Sequence, residues 1–246
     1  MKIYGLIGYP LGHSFSKKYF TEKFKQEGLP DNSYELFAIP SITEFPSLLN
    51  LHPFLKGLNV TIPYKEQILK YVTEQTKSVK KIGAANTIKF INNRIIAYNT
   101  DIVGFEKSFI KKLKPSHKKA LILGTGGSSK AVQFVLQKLN IEYLIVTRHE
   151  TDATVMINYS KIDAAIINDH TIIINCTPVG MYPDEEISPA LNYQLLTPHH
   201  YLFDLVYNPA KTMFLKKGED EGAAIQNGYE MLVMQAEESW KIWNED

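Results

Sequence analysis

The sequence is short of most features that would commit it to a special environment or chemistry. Its 246 residues include a single cysteine, Cys176, which excludes an internal disulfide and fits a reducing compartment. The apolar residues around that thiol make it a core position, and nothing near it marks a nucleophile. No apolar run approaches the about 20 residues needed to cross a bilayer, and the opening segment has one charge and no cleavage-site pattern of a secretory signal. The seven histidines are scattered, only His199 and His200 are adjacent, and HExxH and CxxC spacings are missing, so no metal site is indicated. An excess of one charge is missing too. The 27 basic and 26 acidic residues leave a net charge of +1, which gives no electrostatic case for nucleic acid or an anionic membrane. Internal repeats and low-complexity tracts are absent. What remains is ordinary: 44% hydrophobic and 22% charged residues describe a metal-free, cytoplasmic globular chain able to bury a large core in one or two domains.

The informative stretch runs from Lys119 to Arg148. Ala120–Leu123 is a short apolar run, the pattern of a strand buried on both faces. It breaks into Gly124-Thr125-Gly126-Gly127-Ser128-Ser129-Lys130-Ala131. A helical pattern follows, with Ala131, Val132, Val135, Leu136 and Leu139 on one face. A second strand, Tyr143–Thr147, closes a βαβ unit of mononucleotide-binding size. A tight strand-to-helix turn uses backbone angles cheap only for glycine, and bare N–H groups at the positive end of a helix receive a pyrophosphate. The usual fingerprint is G-x-G-x-x-G/A; here an extra glycine intervenes and the last small residue is shifted. With strands on both sides, Gly124, Gly126 and Gly127 read as a dinucleotide site. The second strand ends Thr147-Arg148-His149 with no acid for a ribose 2′-hydroxyl. An Arg fork there suits a 2′-phosphate, which points to NADP (NADPH); a plain surface arginine is the alternative, and Asp152 opposes a phosphate if it turns inward.

Along the rest of the chain, Lys2–Gly8 reads as a strand, and a helix opens at His13-Ser14-Phe15-Ser16 and runs to about Glu27, stopped by Gly28 and Pro30. Capping of this helix by Ser14 or Ser16 is the plainer reading of the residues alone; two hydroxyls beside a helix N-terminus also make a good carboxylate receptor. Tyr34–Ile39 and Leu55–Val60 read as strands, with a helix over Ile42–Leu51 between them. The run Asn59-Val60-Thr61-Ile62-Pro63-Tyr64-Lys65-Glu66 predicts a strand, a turn and then a helix with Pro63 near its first turn. Lys65 then lies just past a strand's carboxyl end, where open α/β sheets bind ligands; its bland reading is a solvated helix lysine. Gly83-Ala84-Ala85-Asn86-Thr87 leads into a hairpin, Thr87–Ile91 and Arg94–Tyr98, turned at Asn92-Asn93. Asp101 starts a helix to Leu113, as a cap or first-turn acid in its plain role, and Lys114-Pro115-Ser116-His117 is a linker. Residues 149–170 predict no more than one or two short helices. Thr171–Asn175 and His200–Val206 are buried strands, and the last helix spans about Tyr229–Trp243 with Met231, Leu232, Gln235 and Trp243 among its inward positions.

Taken in order, these blocks resemble the shikimate dehydrogenases. The resemblance rests on Gly8-Tyr9-Pro10-Leu11-Gly12-His13-Ser14-Phe15-Ser16, Asn59-Val60-Thr61-Ile62-Pro63-Tyr64-Lys65, Gly83-Ala84-Ala85-Asn86-Thr87, Asn99-Thr100-Asp101, Gly124-Thr125-Gly126-Gly127, Asn175-Cys176-Thr177-Pro178-Val179-Gly180-Met181, Asp204-Leu205-Val206-Tyr207-Asn208-Pro209 and Gly228-Tyr229-Glu230-Met231-Leu232-Val233-Met234-Gln235. The family implies an α/β chain with a substrate-binding domain over 1–101, completed by the last helix, 229–246. A Rossmann-like NADP-binding domain would cover 102–228, with a cleft between the two. It implies reversible reduction of 3-dehydroshikimate to shikimate. By the same resemblance Ser14 and Ser16 hold the substrate carboxylate, and Asn59, Thr61, Asn86, Asp101 and Gln235 bind ring hydroxyls with Tyr207 nearby. Lys65 and Asp101 form the catalytic pair, and Thr177, Gly228 and Met231 join the glycines, Thr147 and Arg148 on the cofactor side. The implied partners are a small-molecule substrate and NADP, on a monomer or homodimer, with neither nucleic acid nor membrane. Two departures stand out. Met234 replaces a frequent histidine, and the second basic residue of the N-R-T-x-x-[R/K] clamp is missing after Arg148. The chain is also short between Arg148 and Asn175. A quinate or dual-specific dehydrogenase shares nearly every block, and a non-catalytic dinucleotide-binding relative is the other class to separate.

Overall fold

The computed structural model describes residues 1–12, 14–149 and 154–245; His13, Glu150, Thr151 and Asp152 therefore lie outside the described residues. The chain divides into two compact units, one of residues 1–100 with 235–246 and one of residues 101–234.

The first unit is built on a mixed six-stranded sheet. Its strands are β1 (Lys2–Gly8), β2 (Asn32–Ala38), β3 (Leu55–Val60), β4 (Glu74–Gln75), β5 (Thr87–Ile91) and β6 (Arg94–Tyr98), in the order β2-β1-β3-β5-β6-β4. β1 runs parallel to β2 and β3, whereas β5 is antiparallel to β3 and β6. Alternation along β1 assigns its two faces. Ile7 and partly buried Ile3 join a core with Phe45, Leu58, Tyr64, Ile68, Val79 and Ile88; Tyr4 and Leu6 join a second core with Phe20, Phe24, Tyr34, Ile242 and Trp243. Helices α1 (Phe15–Gln26), α2 (Phe45–Leu51) and α3 (Lys77–Ile82) supply the covering layers. Gly57 has a specific reason to be glycine: a Cβ there would lie 2.2 Å from the Trp243 indole nitrogen, which donates to the Ile88 carbonyl at 2.9 Å. That close approach pins the C-terminal helix to the sheet.

The second unit holds α4 (Asp101–Phe109), β7 (Lys119–Leu123), α5 (Gly127–Lys138), β8 (Glu142–Thr147), β9 (Met156–Asn158), α6 (Ala164–Asp169), β10 (Ile172–Asn175), β11 (Tyr201–Asp204), α7 (Met213–Asp220) and β12 (Ala224–Gln226). All six strands are parallel, in the order β12-β11-β10-β7-β8-β9. Numbered within the unit this is the doubly wound dinucleotide-binding order, with its switch point between β7 and β10. Phe105 and Phe109 of α4 pack on one face against Phe203 and Tyr201 of β11, at ring separations of 5.1 and 5.3 Å. Leu121, Ile173, Leu202, Phe214 and Leu215 form the core on the other. The final helix, α8 (Tyr229–Asn244), is continuous.

Three sequence expectations change. No α-helix follows Pro63: residues 61–66 form turns, held by Tyr64 N–H to the Thr61 carbonyl at 2.9 Å, before a 3₁₀ turn at Gln67–Lys70. Lys65 thus sits on a turn. The strand expected over His200–Val206 ends at Asp204, because its carboxylate captures the Val206 N–H at 3.0 Å and turns the chain. Strands β4, β9 and β12 and helices α3 and α7 were not legible. Each of those strands has only two or three residues and draws its order from the neighbour it pairs with.

Candidate functional site

In the first unit, amides and hydroxyls from β2, β3, β5, the segment after β6, and α8 meet in a buried hydrogen-bonded network. Asn59, 5% exposed, accepts from the Tyr34 hydroxyl at 2.8 Å and donates to Ser239 Oγ at 3.0 Å, and to Thr87 Oγ1 and the Asn86 carbonyl at 3.3 Å. Asn86, 3% exposed, donates to Thr100 Oγ1 at 3.0 Å and to Gln235 Oε1 at 3.3 Å, while its own Oδ1 accepts from the Thr100 N–H at 2.7 Å. Hydroxyls of Thr87, Thr100 and Ser239 close the ring at 2.9–3.2 Å. Both ends of the Asn59 amide have protein partners. Burial pushes the Tyr34 phenol far above its ordinary range, a shift that a hydrogen bond from the Ser16 side offsets only in part; this links Ser16 to Asn59 through Tyr34. Ser14 is the N-cap of α1, its Oγ accepting from Lys17 N–H at 3.4 Å, so the capping role is real. Thr61 N–H donates to the Ile7 carbonyl at 2.9 Å, and the Lys65 carbonyl accepts from Ala85 N–H at 2.7 Å. The turn carrying half-buried Lys65 is therefore tied to β1 and to the segment before Asn86. Sequence reading missed Tyr34, Thr87, Thr100 and Ser239 as site residues. Ser239 had one available signal, its position four residues after Gln235 on the same helix face.

In the second unit, the glycine turn sits at the switch point. Gly124 has φ +104°, and a Cβ there would lie 2.8 Å from Thr177 Cγ2, so the turn after β7 and the loop after β10 are in contact. The 12-residue α5 begins with Gly126 as its N-cap and no side-chain cap, and a Cβ at Gly126 would meet no atom within 4 Å. An uncapped helix N-terminus with open space before it fits the pyrophosphate of a dinucleotide, with Gly127 as the first helical residue. At the end of β8, Thr147 Oγ1 accepts from His149 N–H at 3.2 Å, and exposed Arg148 has its carbonyl held by Asn158 Nδ2 at 3.1 Å. The Arg148 backbone is thus anchored at the end of β8. Asp101 is buried at the start of α4. Tyr207 lies just beyond β11, half-buried, its phenol pushed up by desolvation. Gly228 could be no other residue: a Cβ would lie 2.2 Å from the Leu205 carbonyl oxygen. Met231 is buried in the first turn of α8. Desolvation, aided by the charge of Asp204, pushes the Cys176 thiol well up, so it is not a nucleophile.

A second network, not anticipated from sequence, joins β10 and β11. Asn175 and Asp204, both 0% exposed, are direct neighbours in the parallel ladder. Asn175 Nδ2 donates to Asp204 Oδ1 at 2.9 Å, and Asn175 Oδ1 accepts from Thr177 N–H at 3.0 Å and Thr177 Oγ1 at 2.6 Å. Asp204 also accepts from Thr212 Oγ1 at 2.6 Å. Burial raises the Asp204 carboxyl to about 6, against the opposing pull of those hydrogen bonds. Among the described residues, no group of three His, Cys, Asp or Glu could hold a metal ion, and no helix is long and apolar enough to cross a membrane.

Residues 6–88 match the family model for the shikimate dehydrogenase substrate binding domain. Over its whole length the chain resembles the shikimate dehydrogenase (NADP(+)) of Methanosphaera stadtmanae, with 34% identity covering 98% of this chain and 90% of that one. Among solved structures, shikimate dehydrogenase 1 from Peptoclostridium difficile superposes with a TM-score of 0.84 at 36% identity, covering 99% of this chain and 91% of that one. The Thermus thermophilus shikimate 5-dehydrogenase, solved with NADP(H) and shikimate, superposes at 0.87 with 28% identity, covering 99% and 94%. With sequence and fold matched from end to end, this chain belongs to the shikimate dehydrogenase family.

Proposed function

We propose that this chain catalyses the NADPH-dependent, reversible reduction of 3-dehydroshikimate to shikimate, a step of aromatic amino-acid biosynthesis, in the cytoplasm. The observation that carries the reading is 34% identity over 98% of the chain to an NADP-dependent shikimate dehydrogenase, on a fold whose second sheet has the dinucleotide-binding strand order. Residues 1–101 with 229–246 serve the substrate, and 102–228 serve the cofactor. When bound, NADPH supplies a hydride to the ring ketone. Lys65 gives a proton to the alkoxide oxygen that develops there, and Asp101 orients the ammonium and the hydroxyl; a developing alkoxide needs a cation and a proton within hydrogen-bond reach. Ser14 and Ser16 hold the substrate carboxylate. Asn59, Thr61, Asn86, Asp101 and Gln235 bind ring hydroxyls, with Tyr207 nearby. Gly124, Gly126 and Gly127 receive the pyrophosphate, Thr147 and Arg148 the 2′-phosphate, and Thr177, Gly228 and Met231 the nicotinamide half.

Steady-state oxidation of shikimate, followed at the reduced-nicotinamide absorbance with NADP and NAD side by side, tests this reading. Activity with NADP well above that with NAD is expected, and Arg148→Gln should lower that preference by about tenfold, the worth of one charged hydrogen bond. No turnover with shikimate, or turnover with quinate only, would overturn it.

A further inference from the structure

We propose that Asp204 is a positioning residue for the cofactor site: through Asn175 it sets where Thr177 stands against the glycine turn, and so sets the affinity for NADP. The inference rests on the reading that NADP binds at Gly124–Gly127.

The chain of contacts is short and each link has one sense. An ionised carboxylate only accepts hydrogen bonds. Asp204 Oδ1 faces Asn175 Nδ2 at 2.9 Å, so the amide must turn its NH₂ toward Asp204 and its oxygen the other way. That oxygen takes both the N–H and the hydroxyl of Thr177, at 3.0 and 2.6 Å. The Asn175 NH₂ also reaches the Val179 carbonyl at 3.3 Å, and Thr177 Oγ1 accepts from Val179 N–H at 3.3 Å, so the loop is wrapped around one side chain. Cys176 N–H bonds the Leu123 carbonyl at 2.9 Å, which fixes the loop to the end of β7 just before Gly124. A methyl at Gly124 would collide with Thr177 Cγ2, so there is no slack between loop and turn. Displacing Thr177 moves a wall of the space into which a dinucleotide must fit.

Asp204 is held as tightly as it holds. Its Oδ1 takes Val206 N–H at 3.0 Å and its Oδ2 takes Thr212 Oγ1 at 2.6 Å, while Thr212 caps α7 by accepting from Leu215 N–H at 3.4 Å. One carboxylate therefore couples the end of β11, the start of α7 and the loop after β10. A carboxylate this deeply buried is costly. Its acceptor-only character holds the Asn175 orientation together with the Val179 carbonyl and the Thr177 N–H.

The test is NADP affinity of the full-length protein by calorimetric titration, with KM for NADP and for shikimate measured separately. Asp204→Ala should weaken NADP binding at least tenfold and raise KM for NADP while KM for shikimate stays put; Asp204→Asn, which keeps an acceptor, should recover part of the loss. Thr177→Val leaves the buried carboxylate in place and should weaken NADP binding in the same direction. In its background Asp204→Asn should add little, since both changes cut one path. Unaltered NADP affinity in folded Asp204→Asn and Thr177→Val, or fully additive losses in the double variant, would overturn the inference. Wild-type protein that binds no NADP would instead overturn the functional reading on which it stands.

Discussion

The two units solve the same problem, a buried polar cluster beside a ligand site, in opposite ways. Around Asn59 and Asn86 the hydrogen bonds among Tyr34, Thr87, Thr100, Gln235 and Ser239 run between amides and hydroxyls. Around Asn175 the cluster is organised by one charge, Asp204, with three donors directed at it. Bonds between neutral groups cost little to bury, and the amides here are aimed by backbone groups: Asn59 Nδ2 donates to the Asn86 carbonyl and Asn86 Oδ1 accepts from the Thr100 N–H. A carboxylate is expensive to desolvate, yet it imposes a direction on everything bonded to it. The difference is that amides and hydroxyls bond one another on the side proposed to receive a polyhydroxylated ring, whereas the side proposed to receive the cofactor has a buried carboxylate that takes three donors.

The largest effect is expected at Lys65. Lys65→Ala should cut turnover by roughly 10²–10⁴, the worth of a general acid, with an unchanged unfolding profile; a kcat equal to wild type would remove Lys65 from the chemistry. Next comes the charge itself. The Asp204 carboxyl stands at about 6 in the folded chain against an ordinary 3.8, so the folded state binds its proton more tightly. Its contribution therefore favours folding below about pH 4 and is lost as pH rises through 6. The full difference, about two pH units at about 1.4 kcal/mol each, is about 3 kcal/mol. The titratable neighbours Cys176 and Tyr193 are both pushed up by burial and stay neutral over that range. Denaturant unfolding of wild type and Asp204→Asn between pH 4 and 7 should give curves that diverge by this slope, and parallel curves would show that Asp204 is ordinary. Smallest is the counterpart in the first unit: Asn86→Ala strands the Thr100 N–H and should cost about 1–3 kcal/mol in denaturant unfolding. A cost near zero would show that the Thr100 N–H finds another partner.

Much of the fold was legible because it is encoded within a few residues. The apolar run Ala120–Leu123, the glycines and the spaced Ala131, Val132, Val135 and Leu136 specify a buried strand, a turn and a packed helix, and the structure has β7, the turn and α5 there. The Asn92-Asn93 turn of the hairpin is likewise local, both residues adopting the positive φ that asparagine tolerates. Lys65 illustrates the limit: its place after a strand was legible, while the expected helix gave way to a turn whose hydrogen bonds reach Ile7 and Ala85.

By itself, then, the sequence determined the strands and helices with strong periodicity, the glycine turn at Gly124, and the ordered blocks that mark the family. Only the tertiary structure decided that Asn59, Asn86 and Gln235 share one network, that the short strands β9 and β12 extend the second sheet, and that Asp204 is buried beside Asn175. Periodicity and backbone preference are properties of neighbours in sequence. The partner of a polar group, and the water it loses, depend on residues far along the chain that meet only when the sheets are assembled.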